Sequence, residues 1–149
     1  MRQRWNIWVV GGDLRQGKLA ELLAGDGHAV HTLALEQAGH LSGVRAEADT
    51  EGIALADCVV LPLPAVGEDL RINTPLSDRD LPLERVLAAL RPGQVVCAGR
   101  VSPAAEAMAA RKELVLRDYF AREELAVANA VPAALAKQAR LRAAPGKHL

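Results

Sequence analysis

Five short apolar runs recur along the chain, and segments with helical spacing or polar composition separate them. After its first residue, the run at 57–61 is apolar throughout, which is typical of a strand covered on both faces of a sheet. The alternation of strands and helices predicts a three-layer, doubly wound α/β domain with a mostly parallel five-stranded sheet. We expect a flavodoxin-like or Rossmann-like strand order of 2-1-3-4-5. The predicted strands are residues 5–10, 28–35, 57–61, 94–98 and 114–116.

Recognisable capping residues precede two of the predicted helices. Asp13 is a good N-cap, and Gln16 follows it three residues later, as in a capping box. Ser102 and Pro103 fit the N-cap and the first position of another helix. The polar, glycine-containing segment 36–51 is expected to be irregular. Further helices are predicted at residues 81–90, 118–130 and 133–142.

Length and composition restrict the classes of function. A chain of 149 residues favours one domain, and a formal net charge of zero provides no electrostatic reason for non-specific nucleic-acid binding. No apolar stretch reaches the ~20 residues that a membrane helix needs. Cys58 and Cys97 lie within apolar runs, which predicts buried, reduced thiols. With no signal peptide before the first strand, we expect a cytoplasmic protein.

The end of the sequence differs from the rest in charge. From Ala133 onward there are four basic residues and no acidic residue, and alanine is frequent. We therefore divide the protein into an α/β domain at 1–132 and a basic, Ala-rich C-terminal helix or tail at 133–149. Such a tail fits either a solvated helix end or a contact with an acidic partner.

A ligand site is expected where the strands end, because ligands of open α/β sheets bind outside the carboxyl ends of the strands. Arg15 and Arg100 lie near predicted helix N-termini, where backbone amides and the helix dipole favour anions. A guanidinium holds a carboxylate with two hydrogen bonds, so a small carboxylate is the expected ligand. The candidate binding residues are Gly11, Gly12, Asp13, Arg15, Gln16, Pro62, Asn73, Thr74, Gly99 and Arg100.

Each candidate also has a purely structural interpretation. Residues 11–12 could form only a tight turn, Arg15 could be solvated, and Arg100 could pair with an acid from a neighbouring loop. Pro62 fits a structural role better than a ligand contact, and Asp118 fits an N-cap better than a catalytic acid.

Two nucleotide-binding motifs are approached but not completed. Residues 12–18 match the start of a P-loop, but the next residue is Leu19 where magnesium binding needs Ser or Thr. Gly11 and Gly12 are adjacent, so the spaced glycines of a dinucleotide fingerprint are missing. Neither triphosphate hydrolysis nor a nicotinamide site is predicted. The histidines have no partners at metal-ligand spacing, and no Ser-His-Asp pattern occurs.

Particular residues resemble one family. The segment 9–16, with Gly-Gly-Asp-Leu-Arg-Gln, looks like the first turn of the A subunit of dipicolinate synthase. Residues 118–132 are similar to that family's D-Y-x-x-R-E-E-L-A-x-x-N-A-V-P stretch, and the resemblance covers residues 5–132. Residues 61–64 resemble the family's third-strand exit, residues 71–77 resemble the loop that follows, and residues 96–99 match its fourth strand.

This resemblance implies the N-terminal, substrate-side lobe of an oxidoreductase. In the family, a second, Rossmann lobe binds NADP, and a flavoprotein-like B subunit cooperates in making dipicolinate during sporulation. The sequence departs from the family after Pro132 and stops at Leu149. We therefore expect no cofactor in this chain, no metal, and no catalysis by the chain alone. The expected partners are a small dicarboxylate, and the B subunit or a separate cofactor lobe.

The alternative function is a non-catalytic dimerisation or interaction module derived from that family. Apolar residues of the last helices would then drive formation of a homodimer instead of packing against a second lobe. These residues are Leu125, Val127, Leu135 and Leu141.

Overall fold

A computed structural model describes residues 4–67, 69–99, 101–118 and 135. Within them, six strands form one sheet in which every neighbouring pair is parallel, in the order β3-β2-β1-β4-β5-β6. The strands are β1 Asn6–Val10, β2 Ala29–Leu33, β3 Val44–Glu47, β4 Cys58–Val60, β5 Val95–Ala98 and β6 Val115–Asp118. The helices are α1 Leu14–Gly25, α2 Leu83–Ala88 and α3 Pro103–Arg111, with short 3-10 turns at Glu36–Ala38 and Ile53–Leu55.

The doubly wound parallel fold is confirmed, but the prediction of five strands is wrong. The five predicted strands are present in the predicted mutual order, and β3 adds a sixth strand outside β2. This strand lies in the segment that was expected to be irregular. Its two central residues are exposed, because β3 is an edge strand that pairs only with β2. Charged residues such as Arg45 are typical of sheet edges and hide the strand pattern in the sequence.

The predicted helix starts are partly confirmed. Asp13 caps α1, and the Ser102 side chain caps α3, with Pro103 at its first position. Gln16 does not complete a capping box, since its side chain reaches the Val10 carbonyl at 3.4 Å instead. Asp118 belongs to β6, and the rest of the predicted helix 118–130 lies outside the described residues. The same holds for 133–142, apart from Leu135, which is helical.

Two apolar clusters fill the two faces of the sheet. On one face, Trp8 and Val10 of β1 share a cluster with residues of α2 and α3. On the other face, Ile7 and Val9 share a cluster with residues of α1. Successive residues of β1 thus point to opposite faces, as the pleat requires, and three layers result. Within the described residues, no helix combines the length and the apolar character needed to cross a bilayer.

The two cysteines are buried free thiols, as expected. Cys58 on β4 and Cys97 on β5 lie on the face of the sheet that α1 covers. Their sulfur atoms are 3.2 Å apart. The hydrogen bond with Cys97, followed by burial, raises the pKa of Cys58 well above its ordinary value. Cys58 therefore stays a neutral thiol at physiological pH.

We expect the thiols to react only when the domain opens. With Ellman's reagent, the folded protein should react roughly a hundredfold more slowly than the protein in urea, because only a thiolate at the surface attacks the reagent. The urea sample should release two equivalents, matching the two cysteines of the sequence. Fast release of either equivalent from folded protein would contradict this packing.

Candidate functional site

The candidate site lies where β1 and β4 separate, at the carboxyl edge of the sheet. The strand order reverses direction at this pair, because the chain leaves β1 toward β2 and leaves β4 toward β5. The two connections run to opposite faces of the sheet and open a crevice between them, which is the usual ligand position in such folds. The residues that line this edge come from the turn after β1 and from the long connection after β4.

The turn after β1 is packed tightly against the protein's own backbone. The N–H of Gly11 donates to the carbonyl of Leu33 at 2.8 Å, and the N–H of Gly12 donates to the carbonyl of Asn73 at 2.7 Å. Gly11 has a φ of +65°, and a Cβ there would lie 2.7 Å from that same Asn73 oxygen. Glycine is therefore required by a close approach of two backbones. The Gly12 amide is satisfied within the protein.

The segment that approaches the turn is a strap, which we define as residues 69–81. From the exit of β4 it crosses the exit of β1 and continues to the exit of β2. There, the N–H of Gln37 donates to the carbonyl of Leu76 at 2.8 Å. Arg79 pairs with Glu36 at 2.9 Å, and the Gln37 side chain donates to Asp78 at 3.1 Å.

Buried side chains and a side-chain hydrogen bond also fix the strap to the rest of the domain. Ile72 and Leu81 are buried in the apolar cluster, and the N–H of Ile72 donates to the carbonyl of Leu81 at 2.8 Å. The Asn73 side chain donates to the carbonyl of Pro64 at 2.7 Å, where the Leu63–Pro64 bond is cis. Asn73 thus holds the strap with both its side chain and its backbone.

Arg15 and Asp13 form an ion pair at the start of α1. The guanidinium meets the carboxylate through Nε, at 3.2 and 3.3 Å, and through Nη2, at 3.1 Å. The hydrogen bond from the Arg15 side chain lowers the pKa of Asp13 against the opposing effect of burial. The pair is therefore charged at neutral pH and is lost as pH falls through the lowered pKa. Both side chains are about half exposed, at 60% for Arg15 and 48% for Asp13.

A second acidic group, Glu36, lies where the strap meets the exit of β2. Burial alone would raise its pKa, but hydrogen bonds from Ser77 and the backbone, and the charge on Arg79, bring the pKa of Glu36 below its ordinary value. Glu36 is thus an anion held by strap residues. This contact was not predictable from the sequence, because Glu36 and its partners lie in segments without a regular pattern.

The other predicted residues that the structure describes fall on the same edge. Pro62 is buried, and its Cβ lies 3.1 Å from the position that a Cβ on Gly12 would take. Thr74 is part of the strap, where its hydroxyl donates to the carbonyl of Arg79 at 3.1 Å. Gly99 follows β5 and is buried. Arg100 lies outside the described residues.

Away from this edge, the described residues line one small cavity and hold three well-partnered histidine and cysteine environments without metal-ligand geometry. A small apolar cavity lies between the sheet and the helices α2 and α3, and its volume of about 10 Å³ is about the space of one water molecule. No group of three His, Cys, Asp or Glu side chains among the described residues could hold a metal ion. His28 accepts a hydrogen bond from the N–H of Trp5, and His31 stacks on Trp8 and bonds Glu47.

The residues invoked for self-association are only partly described. Leu135 is 0% exposed and shares the apolar cluster of Ile7, Leu19 and Cys58 within the same molecule. It is therefore not available at the surface for a second copy. The other three lie outside the described residues, and the homodimer stays a prediction.

Comparisons with known proteins agree with the sequence resemblance. The protein is similar to the crystal structures of the dipicolinate synthase A chain from Bacillus subtilis (TM-score 0.69, 23% identity, 82% of this protein and 42% of that one) and of the A subunit from Bacillus halodurans (0.66, 20%, 74% and 39%). It is also similar to 3-hydroxyisobutyrate dehydrogenase from Mycobacterium tuberculosis (0.58, 21%, 78% and 40%). It thus spans about two fifths of these proteins.

The family assignment comes from the sequence itself. The search of curated proteins produced no match. The family profile for the N-terminal domain of the dipicolinate synthase A subunit matches residues 6–120, which is well over half of the sequence. The protein therefore belongs to the family of N-terminal domains of the dipicolinate synthase A subunit.

Proposed function

We propose that this protein is the substrate-side lobe of an enzyme like the dipicolinate synthase A subunit and that it binds a small dicarboxylate. The observation that carries the proposal is the position of Arg15, whose half-exposed guanidinium lies in the first turn of α1 at the exit of β1. Strand exits at the switch point of the sheet are where ligands bind in this type of fold.

The contact with Asp13 indicates which ligand chemistry the arginine accepts. A carboxylate already lies against the Nε and Nη2 edge of the guanidinium, in the paired arrangement that arginine makes with carboxylates. In our proposal, one ligand carboxylate replaces Asp13 on that edge. Asp13 then keeps its other bond, in which it accepts from the N–H of Arg15. The second ligand carboxylate faces the rim of the strap around Thr74.

The redox step is assigned to other parts of a larger assembly. We propose that an NADP-binding lobe and a B subunit supply the cofactor chemistry, while this protein holds and orients the substrate. An exposed leucine supports the presence of a covering partner, since Leu14 is 64% exposed directly beside Arg15. Partner lobes commonly cover such apolar side chains.

Calorimetric titration with dipicolinate tests the proposal. We expect binding to the unmodified protein, and a loss of affinity of about tenfold or more in Arg15→Ala, because hydrogen bonds to a charged group contribute about 1.5–3 kcal/mol. Arg45→Ala is the matched control. It removes the same charge from a side chain that is 79% exposed on the edge strand β3. Its affinity should match that of the unmodified protein.

Two results would count against the proposal. Absence of binding at millimolar dipicolinate would exclude small dicarboxylates of this kind as the ligand. Equal weakening by Arg15→Ala and Arg45→Ala would show general charge attraction and no site at the exit of β1.

A further inference from the structure

Doubly wound domains with this strand order bind dinucleotides through two recurring contacts. The pyrophosphate lies against the amides of the first turn, and an acidic residue after the second strand binds the ribose. In this protein, the corresponding groups are the Gly12 amide and the Glu36 carboxylate. Both groups already have a partner within the protein: the amide has a hydrogen-bond acceptor and the carboxylate has an ion-pair partner. Both partners belong to the strap.

The first engaged group is the Gly12 amide. Its N–H donates to the backbone carbonyl of Asn73 at 2.7 Å, so a peptide oxygen lies where a phosphate oxygen would be bound. The neighbouring Gly11 is so close to this carbonyl that even a Cβ would be 2.7 Å from it. A pyrophosphate therefore has no room at this turn while the strap is in place.

The second engaged group is Glu36. Arg79 lies 2.9 Å from its carboxylate. The carboxylate that would receive a ribose hydroxyl is thus paired with a side chain of the strap. The two contacts, at the exits of β1 and β2, lie on one continuous segment of seven residues from Asn73 to Arg79.

From these contacts we propose that residues 73–79 are an internal substitute for a dinucleotide, and that they determine the ligand specificity of the domain. The substitute excludes nicotinamide dinucleotides from the crevice and leaves only its outer rim to a small ligand. Other residues of the turn agree with this. Asp13 and Gln16 stand where the dinucleotide fingerprint has its second and third glycines.

The strap is a fixed part of the domain and not a loose cover. Buried Ile72 and Leu81 hold its two sides in the apolar cluster, and the Asn73 side chain adds a bond to the carbonyl of Pro64. Asn73 is therefore a positioning residue, whose side chain keeps its own carbonyl on Gly12. The candidate ligand contact assigned to Asn73 by sequence becomes a contact within the protein.

Amide hydrogen exchange followed by NMR, together with nucleotide titration, tests the proposal on the full-length protein. The Gly12 amide should be protected in the unmodified protein, and Asn73→Ala should speed its exchange about fivefold, the effect of losing one hydrogen bond. The Ala29 amide, which donates to Trp5 away from the strap, is the internal reference and should not change. Calorimetry with NAD⁺ and NADP⁺ at about 1 mM should show no binding.

Either of two results overturns the proposal. One is a Gly12 amide that exchanges as fast as in an unfolded chain, and the other is NAD⁺ or NADP⁺ binding to the unmodified protein. If Asn73→Ala does not fold, Arg79→Ala replaces it. This variant removes only the half-exposed pair with Glu36, and the Gln37 amide, which donates to Leu76, should then exchange about twofold faster. An unchanged exchange rate of the Gln37 amide in that variant would also contradict the proposal.

Discussion

Replacing Gly11 with alanine is expected to lower the free energy of unfolding by about 3 kcal/mol, one of the two largest effects that we predict. Two costs add at this position. The φ of +65° lies in the left-handed region, where an L residue costs about 1 kcal/mol or more. The added Cβ would also lie 2.7 Å from the backbone oxygen of Asn73, which no side-chain rotation can relieve. The strap must therefore shift and weaken its bond to Gly12.

Gly93→Ala is the control that separates these two costs. Gly93 has a φ of +89°, but a Cβ there meets no atom within 4 Å. It should lose only the conformational part, about 1 kcal/mol. Urea denaturation of both variants measures the difference. Equal losses of unfolding free energy in the two variants would show that a Cβ at Gly11 does not clash with the Asn73 carbonyl of the strap.

The fold was predictable from the sequence wherever burial leaves a continuous pattern. The inner strands β1, β4 and β5 are apolar because helices cover them on both faces, so their runs stand out in the sequence. The edge strand β3 was missed because it pairs with one strand only and its two central residues are exposed. Its Val-Arg-Ala-Glu sequence resembles that of a loop.

The convergence of these segments was predictable, but their contacts were not. Topology brings the exits of β1 and β4 together, and Gly12, Pro62 and Asn73 lie on one edge of the sheet. The bond from the Gly12 amide to the Asn73 carbonyl joins backbone atoms far apart in sequence, and backbone groups leave no trace in residue identity. Local contacts such as the capping of α1 by Asp13 were predictable, because the partners are neighbours.

Leu135→Ala is expected to produce a loss of similar size, about 3 kcal/mol within the usual range of roughly 2–5 for buried leucine. The side chain is 0% exposed and belongs to the cluster under α1's side of the sheet, with Ile7 and Cys58. Truncation leaves a cavity that the surrounding strands cannot close, because parallel strands are held by hydrogen bonds on both sides. Thermal and urea denaturation of the full-length protein measure the loss.

The matched control is Leu55→Ala, the same chemical change at a side chain that is 72% exposed. It should alter the free energy of unfolding by no more than about 0.5 kcal/mol. The comparison also tests the domain division, because a tail beginning at 133 that is independent of the fold would make both variants equally harmless. A large loss for Leu135 alone would place this residue in the core of the α/β domain. Residues beyond 132 would then contribute to the second face of the sheet through Leu135, and truncation at residue 132 should destabilise the domain by at least as much.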